Sequence, residues 1–365
     1  MTPGSSTGLA GDDYHVEGDD TEIIALLDGH WYDAVAALLK RANSARGDLE
    51  YARELATAAK RVLDLDAEDF GMIASGFDAP WAKRLAQSCF PHEPRDPERG
   101  ALGSLVPLYE LMLEVIDLRA LRHEPLQIVV TAHLIGEYLC QLAWESVLGH
   151  GGDPLRMDET VGERWGTDDP ECPHSSALQA TARRALNACG GDRVGYTAYL
   201  DRFHSRLGDA LAVCAMNHET VGAGERPDVG ETCPTPCSWA VRGSVGERRD
   251  LDARVRLALL YVDSPIVSLR HHAPVGHFFG VPSVAEISDA WVRTWERLTA
   301  PWNDGSNPLL VEGAPKEFPV GEALPGMAAL VSAVAGRRVG PGNVIRSIGE
   351  DIGRALGRTV VDEAS

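Results

Sequence analysis

The feature that most constrains the fold is a long apolar segment at residues 126–148. When this segment is drawn as a helix, apolar side chains lie almost all round it. A helix that is apolar on nearly every side is usually buried. The preceding segment, 105–121, has the same helical periodicity, and a break containing Pro125 separates the two. The two segments therefore predict a helical hairpin or a kinked crossing with its second helix in the core.

Helical periodicity recurs over most of the remaining chain, and convincing strand patterns are few. The other predicted helices lie at 22–42, 49–65, 80–89, 175–189, 196–218, 324–335 and 344–356. Stretches rich in Gly, Pro and Asp separate them and predict loops. We therefore predict an all-α fold, a bundle of many helices joined by long irregular loops.

Composition excludes several classes of partner. The chain of 365 residues has a hydrophobic content of 44% and a formal net charge of −20. Nucleic-acid binding depends on Lys and Arg contacts to phosphates, and anionic lipid surfaces attract basic segments. Neither suits so acidic a protein. We expect a small-molecule substrate, with no nucleic-acid partner and no membrane.

The sequence predicts four parts of the chain. Residues 1–20 have almost no apolar side chains and predict a disordered tail. An N-terminal helical region follows at 21–220, a linker or lid loop at 221–250, and a C-terminal helical region at 251–365. The seven cysteines do not look like a secreted disulfide framework, no signal peptide is visible, and no apolar run approaches the length of a membrane span. A cytoplasmic location is the expectation.

The C-terminal region begins with the most distinctive helix-boundary signals of the chain. An apolar run ends at Ser264 and Pro265, where a break is expected because the residue before a proline avoids helical geometry. Further on, Ser283 and Glu286 have the spacing of a capping box and predict the start of another helix. The pattern therefore predicts a helix, a break, a second helix, a tight turn and a third helix.

The order of these signals over residues 251–292 resembles the carboxymuconolactone decarboxylase and alkylhydroperoxidase AhpD-like family. In that family a histidine on the second helix precedes a Gly-Val or Gly-Leu turn and a short helix containing Glu-Ile. The corresponding residues here are His272, then Gly280 and Val281, then Glu286 and Ile287. The resemblance implies an AhpD-like C-terminal region and a homo-oligomer.

The chain departs from the redox members of that family. Their Cys-x-x-Cys positions are occupied here by Pro265 and Ser268, so disulfide-based peroxide reduction is excluded at this site. The resemblance then implies an enzyme that uses histidine acid/base chemistry in a decarboxylation, elimination or isomerisation. His272, His271 and Glu286 are its candidate catalytic residues. The alternative is that these histidines are polar packing residues between helices.

A second hypothesis rests on the apolar segment 126–148. His133 and Glu137 lie on one narrow arc of this helix, and Glu110 and Glu114 lie on one stripe of the helix before it. If the two stripes face each other, the four side chains form a set of ligands that suits iron or manganese in a helical oxygenase or oxidase. Otherwise His133 and Glu137 form a local hydrogen-bonded pair, and Glu110 and Glu114 a solvated face. The protein is then either an enzyme that uses the histidine acid/base chemistry described above or a non-enzymatic interaction protein.

The remaining motifs are weak or absent. Cys233 and Cys237 are a candidate zinc pair, although their spacing is more typical of unligated thiols in a loop. The sequence contains no phosphate-binding P-loop, no dinucleotide fingerprint, no Gly-x-Ser-x-Gly elbow and no His-Glu-x-x-His motif. Nucleotide-driven chemistry, serine hydrolysis and zincin proteolysis are therefore not expected.

Overall fold

The computed structural model describes residues 17–41, 47–96, 99–162, 165, 177–190, 192–204, 206–208, 210–211, 244–273, 280–311 and 322–357. These residues form helices and turns and contain no β-strand, which confirms the predicted all-α class. Sixteen α-helices occur among them: α1 Glu17–Asp28, α2 Tyr32–Arg41, α3 Gly47–Leu63, α4 Phe70–Ser75, α5 Pro80–Gln87, α6 Val106–Leu121, α7 Pro125–Leu148, α8 Met157–Val161, α9 Ala177–Cys189, α10 Arg193–Arg202, α11 Val245–Val262, α12 Pro265–Ser268, α13 Val284–Leu298, α14 Pro308–Val311, α15 Met327–Ala335 and α16 Val344–Ala355.

The chain divides into two compact units. One unit contains the residues up to Arg61 together with those from Arg346 onward, and the other runs from Val62 to Ile345. Helices from the predicted N-terminal region and from the predicted C-terminal region therefore belong to the same unit. Most of the predicted tail and linker lies outside the described residues.

A turn at His30 divides the first predicted helix of the smaller unit in two. The sequence predicts one helix over 22–42, but a new helix begins at Tyr32. His30 has a φ of 57°, a left-handed conformation that cannot continue a right-handed helix. Gly29 permits the turn, because a Cβ at that position would lie 2.7 Å from Trp31 Cδ1. The turn accompanies complete burial of Tyr32, so packing overrides the continuous helical pattern.

Helix α7 lies at the centre of the larger unit, as its apolar sequence predicts. Helices α6, α11, α12 and α15 all pack against it. Ala132, Ile135 and Leu139 on α7 are completely buried. Burial of a side chain as large as Ile135 or Leu139 contributes roughly 1.5–3 kcal/mol, so the apolar side chains of this helix contribute strongly to the stability of the unit.

The sequence prediction that no segment approaches the length of a membrane span needs correction. By length and composition, α7 is long and apolar enough to cross a membrane, and it is the one such helix in the described part of the chain. The apolar window of α7 is 61% buried against other parts of the protein. The core helix of a soluble protein shows the same length, composition and burial.

The predicted helix break at Ser264 and Pro265 and the predicted helix start at Ser283 are both confirmed. Helix α11 ends at Val262, and α12 begins at Pro265 with Ser264 as its N-cap. Helix α13 begins with the predicted capping box: Glu286 N–H donates to Ser283 Oγ at 3.2 Å, and Ser283 N–H donates to Glu286 Oε2 at 2.8 Å. The second helix is shorter than expected, one α-turn followed by the 3₁₀ turn Leu269–His272.

The capping box leads to a stability prediction. Ser283→Ala should lower the free energy of unfolding by about 1 kcal/mol, because the backbone N–H of Glu286 loses its cap. Urea unfolding measures the change. Ser288→Ala is the matched control, since Ser288 is exposed within the same helix and should change stability by less than about 0.5 kcal/mol. Equal effects of the two substitutions would contradict the prediction.

Candidate functional site

A histidine and a glutamate meet on the central helix α7. His133 Nε2 lies 2.8 Å from Glu137 Oε1. The two residues are one helical turn apart, so their side chains share a face of the helix. The His133 side chain is 16% exposed and that of Glu137 is 35% exposed. The structure thus confirms the predicted local pair, and it places the pair at the edge of the core with access to solvent.

Arg270 joins this pair from a distant part of the chain. It lies in the 3₁₀ turn Leu269–His272, which packs against α7. Arg270 Nη1 contacts His133 Nε2 and lies 4.0 Å from Glu137 Oε1. A guanidinium only donates hydrogen bonds, and an ionised carboxylate only accepts them. His133 Nε2 therefore cannot satisfy both neighbours at once: deprotonated, it accepts from Arg270, and protonated, it donates to Glu137.

Helices α11 and α12 pack against α7 between its two site residues. A Cβ added at Gly136 would lie 3.5 Å from Tyr261 Cε1 and 3.7 Å from Val267 Cγ2. These are ordinary van der Waals distances, so an alanine fits at this position, while a side chain longer than alanine would meet Tyr261 and Val267.

Two buried tyrosines hold α7 at the level of His133. Tyr109 on α6 donates its hydroxyl to the carbonyl oxygen of Ile135 at 2.7 Å, and Tyr261 on α11 donates to that of Ala132 at 2.7 Å. Both side chains are completely buried, and burial raises the pKa of Tyr109 and of Tyr261 well above the ordinary value. Their hydroxyls therefore stay protonated as donors, and they fix the position of the backbone that carries His133.

Helix α13 fixes the other side of the site. The first free N–H of α12, on Ile266, donates to Thr294 Oγ1 at 3.1 Å, and Thr294 is completely buried. Arg297 donates to the carbonyl oxygen of Asp263 at 3.1 Å. These bonds hold the break between α11 and α12, so the turn carrying Arg270 has a defined starting point.

The site keeps Glu137 ionised. The hydrogen bond from His133 lowers the pKa of Glu137 below its ordinary value, and the charges of His133 and Arg270 lower it further, while partial burial acts in the opposite direction. At neutral pH the site therefore contains a carboxylate and a guanidinium on either side of an imidazole. Such an arrangement suits an imidazole that takes up and releases a proton.

This charge arrangement gives a prediction that needs no substrate. His133→Leu should raise the pKa of Glu137, because the largest lowering contribution is lost and burial remains. Arg270→Met should raise the same pKa less, since Arg270 contributes less than His133. Carbon NMR of the Glu137 carboxyl carbon during a pH titration measures both shifts. An unchanged pKa in His133→Leu would contradict the arrangement described above.

The three residues predicted to be catalytic lie beside this pair or serve another purpose. His271 and His272 follow Arg270 in the same 3₁₀ turn, and both are exposed. Glu286 is fully exposed, and its Oε2 accepts from the backbone N–H and the hydroxyl of Ser283 at 2.8 and 2.7 Å. The Glu286 carboxylate, named above as a candidate catalytic group, therefore serves to cap α13.

The four predicted metal ligands do not come together. The Glu114 side chain is buried and its Oε2 accepts from Val344 N–H at 2.8 Å. Glu110 lies within the electrostatic reach of Arg84 and Arg337, and burial raises its pKa. Among the described residues no three His, Cys, Asp or Glu side chains form a group that suits a metal ion. His133 and Glu137 thus lack the two glutamates that the iron or manganese hypothesis requires.

Two predicted features cannot be placed. Cys233 and Cys237, the candidate zinc pair, lie outside the described residues, and so does much of the Ala273–Gly280 part of the family resemblance. Conversely, sequence reasoning missed Arg270 and the two tyrosines. The one available signal was the position of Arg270 directly before the two histidines.

Comparison with known proteins adds no relative. No family model, no curated protein and no solved structure matches the chain.

Proposed function

We propose that this protein is an enzyme that uses His133 as a general acid/base on a small carboxylate substrate. The single observation that carries the proposal is the meeting of His133 Nε2 with Glu137 Oε1 and Arg270 Nη1 at the edge of the core. Histidine is the side chain best suited to move protons near neutral pH. The proposal keeps the reaction class expected from the sequence and moves the reacting histidine from His272 to His133.

Arg270 supplies the recognition element. A guanidinium has a planar set of donors that matches a carboxylate, and the Arg270 side chain is 37% exposed. A substrate carboxylate that pairs with Arg270 competes with His133 Nε2 for the same donors. Binding therefore frees the imidazole nitrogen at the place where the substrate lies.

Glu137 then stabilises the charged form of the histidine. When Nε2 takes a proton from the substrate, it becomes a donor, and the Glu137 carboxylate at 2.8 Å is its acceptor. After Nε2 has returned the proton and the product has left Arg270, the guanidinium again becomes the partner of Nε2. The two competing neighbours of Nε2 thus correspond to the two protonation states that a proton-transfer cycle needs.

The surroundings favour an anionic substrate. His271 and His272 flank Arg270 on the exposed side, so basic residues are concentrated here although the protein as a whole carries a charge of −20. The segment that contains them resembles the AhpD-like family, whose decarboxylase-type members act on small organic acids. Decarboxylation, elimination and isomerisation of such acids all move a proton to or from a carbon atom.

The test is a substrate screen in heavy water. The protein is incubated with 2-oxo acids, 3-oxo acids and unsaturated lactone carboxylates, and proton NMR follows deuterium uptake and product formation. We expect at least one class to react, and His133→Gln to lower kcat/KM by about 10²- to 10⁴-fold. Arg270→Met should mainly raise KM, because it removes the group that binds the carboxylate.

His272→Gln is the matched control, since it is the same substitution in the same site. It should change kcat/KM by less than about three-fold if His272 only flanks the substrate. A protein that leaves every member of the panel unchanged would contradict the proposal. Full activity in His133→Gln together with its loss in His272→Gln would return the reacting role to His272.

A further inference from the structure

The larger unit contains a cleft that shares no residue with the site formed by His133, Glu137 and Arg270, called the His133 site below. Its volume is about 1000 Å³, at the upper end of the range for small-molecule sites. Helices α4 and α5 form one wall, and the 3₁₀ turn Gly100–Leu102 with the start of α6 forms the other. Arg337, which follows α15, closes one side.

Small and apolar side chains line most of the cleft, among them Ala74, Phe77, Ala82, Ala86 and Val106. These short side chains are the reason the space exists, because a larger residue on α5 would fill it. Their surface suits a hydrocarbon or aromatic group rather than a sugar or a nucleotide, which need many hydrogen-bonding partners.

At Gly100 the floor of the cleft is formed by backbone, with no side chain. Its φ is 53°, a conformation that other residues rarely adopt. A Cβ there would lie 2.1 Å from the carbonyl oxygen of Cys89, so no side chain fits. The same carbonyl accepts a hydrogen bond from Ala101 N–H at 2.8 Å, which fixes the turn against the end of α5. The floor is therefore rigid backbone.

The cleft is lined by three cations and two carboxylates: Lys83, Arg99, Arg337, Asp78 and Asp96. Two of the cations already have carboxylate partners, since Arg99 Nε lies 3.1 Å from Asp153 Oδ2 and Arg337 Nη2 lies 2.6 Å from Glu145 Oε1. Lys83 is exposed, and no ion pair of Lys83 is found among the described residues. The Lys83 ammonium is therefore the charge that an anionic ligand would meet first.

Arg337 is held in place before any ligand arrives. It donates to Glu145 Oε1 at 2.6 Å, and the same oxygen accepts from Ser104 Oγ at 2.7 Å. Glu145 Oε2 accepts from Leu105 N–H at 2.8 Å. The Glu145 side chain is only 11% exposed, while that of Arg337 is 54% exposed. A buried carboxylate thus anchors a guanidinium whose remaining donors are open, which lowers the entropic cost of binding an anion.

The cysteine in the lining of the cleft is a poor nucleophile. Burial raises the pKa of the Cys89 thiol, so it stays protonated. Among the described residues that line the cleft there is no histidine. We propose that the cleft binds a small carboxylate with a hydrocarbon or aromatic body, with the anion at Lys83 and Arg337 and the apolar body against α5.

The test uses 2-naphthoate as the probe and the full-length protein. Naphthoate fluorescence and titration calorimetry measure its Kd. Two further probes separate the contributions: naphthalene-2-methanol has the same apolar body without the charge, and acetate has the charge without the body. We expect naphthoate to bind at least about ten-fold more tightly than either of them.

Substitutions then locate the site. Lys83→Glu should weaken naphthoate binding at least about ten-fold, and the matched control Lys40→Glu, the same charge change on exposed α2, less than about two-fold. Ala86→Trp should abolish binding by filling the cleft, with circular dichroism showing that the helices remain. Arg270→Met should leave binding unchanged, which separates this site from the His133 site. Equal binding of naphthoate by the wild type, Lys83→Glu and Ala86→Trp would overturn the proposal, as would equal binding of the uncharged probe.

Discussion

Acidification from near pH 7 to near pH 4 is expected to remove several kcal/mol from the free energy of unfolding. His150 and His204 are each only 1% exposed. Burial lowers the pKa of His150 to about 4 and that of His204 to about 3. Both histidines therefore stay neutral in the folded protein at a pH at which they are charged in the unfolded chain.

The packing explains why neither ring accepts a proton readily. Aromatic rings surround His204, with centroids 4.9 Å away for Tyr138, 5.1 Å for Phe90 and 5.7 Å for Tyr199. His150 Nδ1 accepts hydrogen bonds from the backbone N–H groups that follow it, including that of Asp153 at 2.8 Å. A proton on that nitrogen would replace an acceptor by a donor and break the turn.

The lowered pKa values of the two histidines determine how stability changes with pH. Above the ordinary pKa of 6.5 both states are neutral and the histidines do not affect stability. Below it the unfolded state binds protons that the folded state refuses, so stability falls as pH falls. Between pH 6.5 and pH 4 each histidine lowers the free energy of unfolding by about 3 kcal/mol. This is a large part of the roughly 5–15 kcal/mol that is typical of the free energy of unfolding of a protein. Burial also raises the pKa of Asp153, which offsets part of the loss at the acidic end.

Urea unfolding near pH 7, 6 and 5 measures this loss. Between pH 6 and 5 the slope should approach two protons, about 2.7 kcal/mol per pH unit. His204→Gln should reduce the slope by about one proton, or about 1.4 kcal/mol per pH unit. His92→Gln is the control, since His92 is 48% exposed, and it should leave the slope unchanged. A flat profile in the wild type would show that the buried histidines do not govern acid stability.

Arg119→Met is expected to lower the free energy of unfolding by about 3 kcal/mol, the lower end of the range for breaking a buried ion pair. The Arg119 side chain is 7% exposed and donates to the carbonyl oxygen of Leu63 at 2.9 Å, to Asp64 Oδ1 at 2.7 Å and to Glu124 Oε2 at 2.5 Å. Methionine keeps the apolar stem but leaves these acceptors without their shared donor. The lower end applies because Asp64 is 43% exposed and water replaces part of its lost contact.

Urea unfolding at neutral pH measures this effect, with Arg53→Met as the matched control. Arg53 pairs with Glu50 on the surface of α3, where the two side chains are 35% and 56% exposed. Such a pair contributes less than about 1 kcal/mol. If Arg53→Met cost as much as Arg119→Met, the Arg119 network would have no special role.

The features predicted correctly are those that depend on neighbours in the sequence. The capping box of Ser283 and Glu286 needs only a spacing of three residues, and the break at Pro265 needs only the restriction that proline imposes on its predecessor. The His133–Glu137 pair needs only one helical turn. These parts of the fold and of the candidate site could therefore be predicted from the sequence alone.

The features that the sequence could not reveal depend on packing between distant segments. Arg270 is 137 positions away from His133, and no local pattern joins them. The metal hypothesis required Glu114 to face His133, and the alternative placed it on a solvated face. Its carboxylate is instead buried and accepts from the N–H of Val344, 230 positions away. The face of a helix that meets a given neighbour depends on the whole bundle, so the stripe of glutamates on α6 did not reveal what Glu114 contacts.

Nitrogen NMR of the His133 ring during a titration with pyruvate, a small carboxylate, distinguishes the two partners of Nε2 in wild type and in Arg270→Met. We expect pyruvate to shift the Nε2 resonance of the wild type toward the protonated form, because the anion takes Arg270 and leaves Glu137 as the partner. In Arg270→Met the resonance should not respond to pyruvate. A wild-type Nε2 resonance that is unaffected by saturating carboxylate, or one that shifts equally in both proteins, would contradict the assignment of His133, Glu137 and Arg270 as a carboxylate proton-transfer site.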